Sequence, residues 1–181
     1  MNDSTLDEAT EPSTKPAPSS GRHAKTVGPR KLALVASVAL IVAAIDQGTK
    51  HWALSAIQNG PINVVGSLRW TLLFNTGTAF SFGSGKGLGP VISLLAIGVV
   101  VALSLGYTSR FRLGAVAAGL IAGGAIGNLI DRAFRGDDGF LHGAVIDFID
   151  LQWWPVFNVA DAAICIGAGL LVLASLRAPS T

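Results

Sequence analysis

Charge is what this sequence has little of. Of its 181 residues only 13% are Asp, Glu, Lys or Arg, against roughly 25% in a typical soluble domain. So sparse a supply of charge cannot clothe a soluble surface of this size, and half of the residues are hydrophobic. Cysteine is represented once, by Cys165 in an apolar run, so an internal disulfide framework is excluded and a small buried residue is the plain reading. Histidine occurs three times, at His23, His51 and His142, scattered and outside any HExxH. No His/Cys/Glu cluster has metal-ligand spacing, so neither a metal nor another cofactor is implied. No serine has a histidine and an acid arranged near it in sequence, which leaves a serine triad without parts.

What is present is length without charge. Four apolar blocks run from about Leu32 to Ala56, Leu88 to Tyr107, Leu113 to Ile130 and Trp154 to Leu176. Each suits the ~20 residues of a spanning helix, and none alternates as a barrel strand does. The expected fold class is an all-α membrane protein with four transmembrane helices. Residues 1–28, rich in Ser, Thr, Pro and charge, are expected to be a disordered tail. They do not read as a signal peptide, because the apolar block comes late and no small-residue cleavage site follows it. The membrane domain is then 29–177, with a short tail at 178–181.

Basic residues set the orientation. Arg22, Lys25, Arg30 and Lys31 precede the first block, Arg110 and Arg112 lie between the second and third, and Arg177 follows the fourth. All fall on one side of a four-helix arrangement, which places both termini in the cytoplasm. The long connections, about 57–87 and 131–153, then face outward, and so does any chemistry. The first of them alternates Val, Trp, Thr, Leu and Phe with Gly and Asn turns, which predicts short strands and a small sheet at the membrane surface. Trp70, Trp153 and Trp154 suit an interfacial aromatic belt. In the third block Gly119, Gly123 and Gly127 recur every four residues beside Gly124, a stripe that lets helix backbones approach.

The acids within apolar sequence need a reason, because charge in hydrocarbon is costly. Asp46 lies about 22 Å along the first helix from Lys31, near the outer interface. Lys50 follows it by four residues, so an ion pair is preferred to direct chemistry. Asn128, Asp131 and Arg132 share a face at the outer end of the third helix, in positioning roles. Arg132 can snorkel to a lipid phosphate or pair with Asp131. In VIDFIDLQWWPVFNVAD, Pro155 fits the first turn of the fourth helix, which would put Asp161 about 9 Å further in. Asn158 is three residues before Asp161, on the same face. Asp147 is fourteen residues before Asp161 in the sequence, and a turn between them lets the two face each other. Asp150 reads as solvated.

Two close carboxylates in a half-dry site share a proton. One then activates water while the other donates to a carbonyl oxygen, as in aspartic proteases. A proton-coupled transporter is an alternative use of the same acids. A metal-dependent phospholipid-alcohol phosphotransferase is set aside, because a companion acid-rich segment is absent.

At these residues the chain resembles the lipoprotein signal peptidases (signal peptidase II, an aspartic peptidase family). The resemblance rests on DQGTK (46–50), FNTGTAF (74–80), GGAIGNLIDR (123–132), GAVIDF (143–148) and FNVAD (157–161), in that order. It implies a bacterial inner-membrane endopeptidase that cleaves diacylglyceryl-modified prolipoproteins before the lipidated cysteine. It implies an outward-facing site, a small strand-rich extracytoplasmic cradle between helices 1 and 2, contact with membrane phospholipid, no nucleic acid, and inhibition by globomycin. It carries the catalytic pair onto Asp147 and Asp161, and site-shaping or substrate-contacting roles onto Asp46, Lys50, Asn75, Gly77, Asn128, Asp131, Arg132 and Asn158. Thr78 departs from the family's usual Ala, and the stretch AFRGDDGFLH, with Asp137 and Asp138, is longer than in many relatives.

Overall fold

The computed structural model describes residues 28–76, 98, 112–136 and 143–176. Three helices and one sheet lie within them. Helix α1 spans Pro29–Ala56, α2 spans Arg112–Phe134 and α3 spans Val159–Leu176. The second apolar block, the part of the expected cradle beyond position 76 and the two tails lie outside the described residues.

Pro29 stands at the start of α1, where its missing N–H costs nothing. The buried residues of α1 are Val35, Ala39, Val42, Ala43, Asp46, Lys50 and Ala53, one stripe at helical spacing. That stripe faces α2. Leu40, Ile41 and Ile45 point away and are exposed, as are Ile166, Val172 and Leu173 on α3. A soluble protein rarely bares apolar faces of this size, whereas lipid accepts them. By length and composition α1 and α2 can each cross a membrane.

Helix α2 is the central helix, packed against both α1 and α3, and its glycines make this possible. A Cβ on Gly123 would lie 2.6 Å from the Ala39 carbonyl oxygen and 2.7 Å from Val42 Cβ. A Cβ on Gly127 would collide with the Asp46 carboxylate, and one on Gly124 with the Ala160 carbonyl oxygen of α3. The stripe therefore admits two neighbours at once, and one of the groups it admits is a carboxylate.

Strands β1 (Ile62–Val65), β2 (Leu68–Asn75) and β3 (Val145–Asp150) form an antiparallel sheet in that spatial order. Gly66, at φ +56°, turns β1 into β2. The strands expected after α1 are thus β1 and β2. The third strand was not foreseen: VIDFID comes from the chain after α2. It pairs with β2, with Leu73 opposite Asp147 and Arg69 opposite Asp150. Phe148 on β3 buries against Ala53 and Ile57 of α1, and its ring meets those of Trp52 and Trp70 at centroid distances of 6.2 and 6.1 Å. Trp70 accordingly packs the sheet onto α1 and does not stand in an exposed belt. Trp153 and Trp154 are exposed and stack edge to face at 6.2 Å.

Three further expectations are corrected, the first being that Cys165, read as buried, is exposed on α3. The last helix begins at Val159, five residues later than Trp154, because the preceding chain is used elsewhere. Phe157 forms a bridge with Ile149, its N–H donating to the Ile149 carbonyl at 3.1 Å and its carbonyl accepting from Ile149 N–H at 2.8 Å. Pro155 lies in the connecting loop. Asp150 is not solvated: it is 3% exposed and takes Arg69 Nε at 2.6 Å. Its other oxygen accepts the N–H of Gln152 at 2.7 Å, where the backbone enters the left-handed region at φ 68°. Asp150 thus ties β3 to β2 and closes the turn that sends the chain back toward α3. Burial opposes its charge, but the Arg69 guanidinium, the Gln152 N–H and the Thr71 hydroxyl outweigh it and hold the carboxyl below its ordinary range.

Candidate active site

Asp147 projects from the middle of β3 and is 1% exposed. Asp161 stands in the first turn of α3. Asn158 joins them. Its side-chain Nδ2 donates to Asp147 Oδ1 at 2.7 Å, and its main-chain N–H donates to Asp161 Oδ2 at 3.2 Å. In return Asn158 Oδ1 accepts the Asp161 N–H at 3.0 Å. This reciprocal pair is a capping box, with Asn158 as N-cap and Asp161 three residues on. The bridge between Ile149 and Phe157 brings the start of α3 beside β3, so the turn that folds the two acids together is a consequence of sheet pairing.

Each carboxylate has further amide donors. Asn75, at the end of β2, donates Nδ2 to Asp147 Oδ2 at 2.9 Å. Asn128, on α2, donates Nδ2 to Asp161 Oδ1 at 2.9 Å. Asn128 Oδ1 accepts from Lys50 Nζ at 2.9 Å and from Asn158 Nδ2 at 3.1 Å. Four elements, α1, α2, α3 and the sheet, therefore meet at two aspartates.

Below this layer Lys50 is fully buried and lies 2.8 Å from both Asp46 and Asp131. The Asp46–Lys50 pair matches its four-residue spacing. Asp46 Oδ1 also accepts the N–H of Ala160 at 2.9 Å, which ties α1 to the first turn of α3. Asp131 is a structural hub: Oδ1 accepts from Arg135 Nε at 2.6 Å and from Gln47 Nε2 at 3.1 Å, and Oδ2 accepts from Ile146 N–H at 3.3 Å. Arg132 is 7% exposed. Its charge acts on Asp147, Asp161 and Asp131. Gly77 lies outside the described residues, as do Asp137 and Asp138. Gln47 and Arg135 were missed by the sequence reading, although Arg135 follows Asp131 by four residues, a spacing that pairs acid with base on one helical face.

The charges at this centre do not cancel if every group is ionised. Among the described residues Asp46, Asp131, Asp147 and Asp161 meet Lys50, Arg132 and Arg135. Four possible negative charges face three positive ones, so one added proton makes the centre neutral. Burial pushes the Asp147 carboxyl up to about 6, aided by the charge of Asp161 and opposed by the Asn75 and Asn158 hydrogen bonds. A carboxyl poised in this range can give or take a proton near neutral pH. No buried side-chain N or O among the described residues lacks a partner, so the pair sits in a preorganised frame.

Comparison with known proteins shows the family. The model of the family Peptidase_A8, signal peptidase (SPase) II, matches residues 38–177. A lipoprotein signal peptidase of Mycobacterium tuberculosis (strain ATCC 25618 / H37Rv) is 41% identical over 167 residues, which cover 91% of this chain and 81% of that protein. One from Mycobacterium avium (strain 104) is 45% identical over 151 residues, covering 82% and 81%. A solved structure described as "Bacterial membrane enzyme structure by the in meso method at 1.9 A resolution" superimposes with a TM-score of 0.65 at 28% identity, covering 82% of this chain and 96% of that one. With apolar helices, a small sheet and a family match that takes in every described residue of the aspartate centre, this chain belongs to the signal peptidase II family of membrane enzymes.

Proposed function

We propose that the chain is an aspartic endopeptidase that removes the signal peptide from diacylglyceryl-modified prolipoproteins, cutting before the lipidated cysteine, with Asp147 and Asp161 as the catalytic pair. The observation that carries this is the shared bonding of both carboxylates to Asn158, on β3 and at the start of α3. A water held between them loses a proton to one carboxylate while the other hydrogen-bonds or protonates the scissile carbonyl. The substrate's two acyl chains hold it at the interface, so that attack becomes nearly unimolecular. Asn75, Asn128 and Asn158 orient the acids or the peptide backbone. Asp46, Lys50 and Asp131 hold the helices that carry them, and Arg132 adds positive charge beside the pair. Gly77 is assigned a site-shaping or substrate-contacting role on the family motif.

The same reading places four helices in the bacterial inner membrane, with both termini cytoplasmic and the site facing outward. The basic residues flanking the apolar blocks support it. Phospholipid surrounds the helices, and globomycin is expected to compete with substrate. The family match is to a peptidase, and the transporter alternative is not supported by it. The test is incubation of the purified protein with a diacylglyceryl precursor and mass analysis of the products. Wild type releases a signal peptide ending before the lipidated cysteine, whereas Asp147→Asn and Asp161→Asn release none. Cleavage by either variant overturns the assignment.

A further inference from the structure

Resting on that reading, we propose that Lys50, acting through Asn128, keeps Asp161 the ionised member of the pair and leaves the shared proton on Asp147. An ammonium group can only donate hydrogen bonds, and it has three to give. Lys50 spends them on Asp46 Oδ2, Asp131 Oδ2 and Asn128 Oδ1, at 2.8, 2.8 and 2.9 Å. The two carboxylates anchor the cation, and the cation dictates which end of the Asn128 amide faces it. A flipped amide would turn its NH2 group against the ammonium. The side chain is therefore held with Nδ2 toward Asp161. Asn158 Nδ2, donating to the same Asn128 oxygen, enforces the same orientation.

Asp161 thus receives an N–H that cannot turn away. It also receives the main-chain N–H of Asn158 and sits at the positive end of α3, where negative charge is favoured. Asp147 receives two side-chain amides, from Asn75 and Asn158, but lies mid-strand without a helix end and is almost wholly enclosed. The asymmetry assigns the steps. Asp161 takes a proton from water as its oxygen bonds to the scissile carbon, and Asp147 gives its proton to the carbonyl oxygen. In the collapse the C–N bond breaks, the leaving nitrogen takes the proton from Asp161, and a hydroxyl of the tetrahedral intermediate returns one to Asp147. Lys50 touches no reacting atom and is a positioning residue.

The titratable and charged groups facing the pair, among the described residues, are Lys50 and Asp46 from α1 and Asp131, Arg132 and Arg135 from α2; β2 contributes the neutral Asn75. The test is the pH profile of kcat/KM on a diacylglyceryl precursor for wild type, Asn128→Leu, Lys50→Met and the double variant. The acid limb reports ionisation of the base, and the alkaline limb reports loss of the acid's proton. Asn128→Leu is expected to move the acid limb up by about one pH unit and leave the alkaline limb in place. Lys50→Met is expected to move the acid limb the same way and, because the Lys50 charge also acts on Asp147 and lowers its carboxyl, to raise the alkaline limb as well; the acid limb of the double variant moves no further than that of Asn128→Leu alone. Lys50→Met strands two buried acids, so its melting in detergent is checked first, and Asn128→Leu carries the test if it does not fold. Movement of the alkaline limb in Asn128→Leu, or a lower rate there with both limbs fixed, overturns the proposal; additive acid-limb shifts in the double variant overturn the part given to Lys50. A wild-type chain that releases no peptide overturns the peptidase reading itself.

Discussion

Asn158 and Asp161 cap each other: the asparagine oxygen accepts the aspartate N–H at 3.0 Å, and the aspartate oxygen accepts the asparagine N–H at 3.2 Å. A motif that elsewhere only starts a helix here also fixes the direction of a reactive carboxylate. Asn158→Ala removes the cap and the donor to Asp147 together. Loss of an N-cap costs about 1 kcal/mol, so the protein is expected to stay folded with a slightly lower melting temperature. Misplacement of the two acids is expected to lower cleavage by about 10²-fold. A precursor assay beside a thermal melt separates the two effects.

Asp147 makes stability depend on pH in an identifiable window. Its carboxyl is raised to about 6 in the folded protein, against roughly 3.9 when unfolded. The folded state therefore binds the extra proton, and the contribution is fully present below about pH 4 and lost as pH rises through about 6. Melting temperatures in detergent are expected to show this decline in wild type and a flatter profile in Asp147→Asn. An unchanged slope in that variant would remove Asp147 as its source.

Asp150 contributes with the opposite sign. Its carboxyl is held low, chiefly against burial, by Arg69, so its contribution is present above the unfolded value and is lost as pH falls through the folded one. Asp150→Asn is expected to lower the melting temperature at pH 7 while most of the cleavage rate survives, because the side chain faces Arg69 and the turn. Loss of activity equal to that of Asp147→Asn would place it in the reaction.

Asp131 is an anchor shared by two cations. It pairs with Lys50 and Arg135, and Lys50 is fully buried. Asp131→Ala leaves buried positive charge without one of its partners, at about 3–5 kcal/mol. Markedly reduced folded yield is expected, measured by size exclusion in detergent.

Gly124→Ala tests the packing of α2. Its Cβ would enter the Ala160 carbonyl oxygen on α3, one residue from Asp161. Overpacking of this kind costs about 1–3 kcal/mol, and it displaces the start of α3, so stability and cleavage are expected to fall together. Gly48→Ala, where a Cβ meets nothing within 4 Å, serves as the control.

Asn128, Asn158 and the aspartates of the centre were legible in the sequence because polar residues inside apolar runs stand out against the cost of burying them, whereas Asn75 was named only through the family resemblance. The Asp46–Lys50 pair was legible because both residues lie on one helix, where separation along the chain gives separation in space. Asp150 was misread because its partner, Arg69, is 81 residues away. The late start of α3 had a local signal, the Asn-x-x-Asp pattern at 158–161, but the apolar residues ahead of it continue a hydrophobic run and conceal the boundary.

By itself the sequence determined the solvent for the helices, since a chain with so little charge and such long apolar runs can satisfy its backbone and side chains together only as helices in lipid. It also determined which polar groups had to be paired. Only the tertiary structure decided how they pair. A hydrogen bond reaches about 3 Å, and the residues that meet at Asp147 and Asp161 come from α1, α2, α3 and the sheet. Their register is set by glycine contacts between helices and by strand pairing, neither of which any local stretch of sequence specifies.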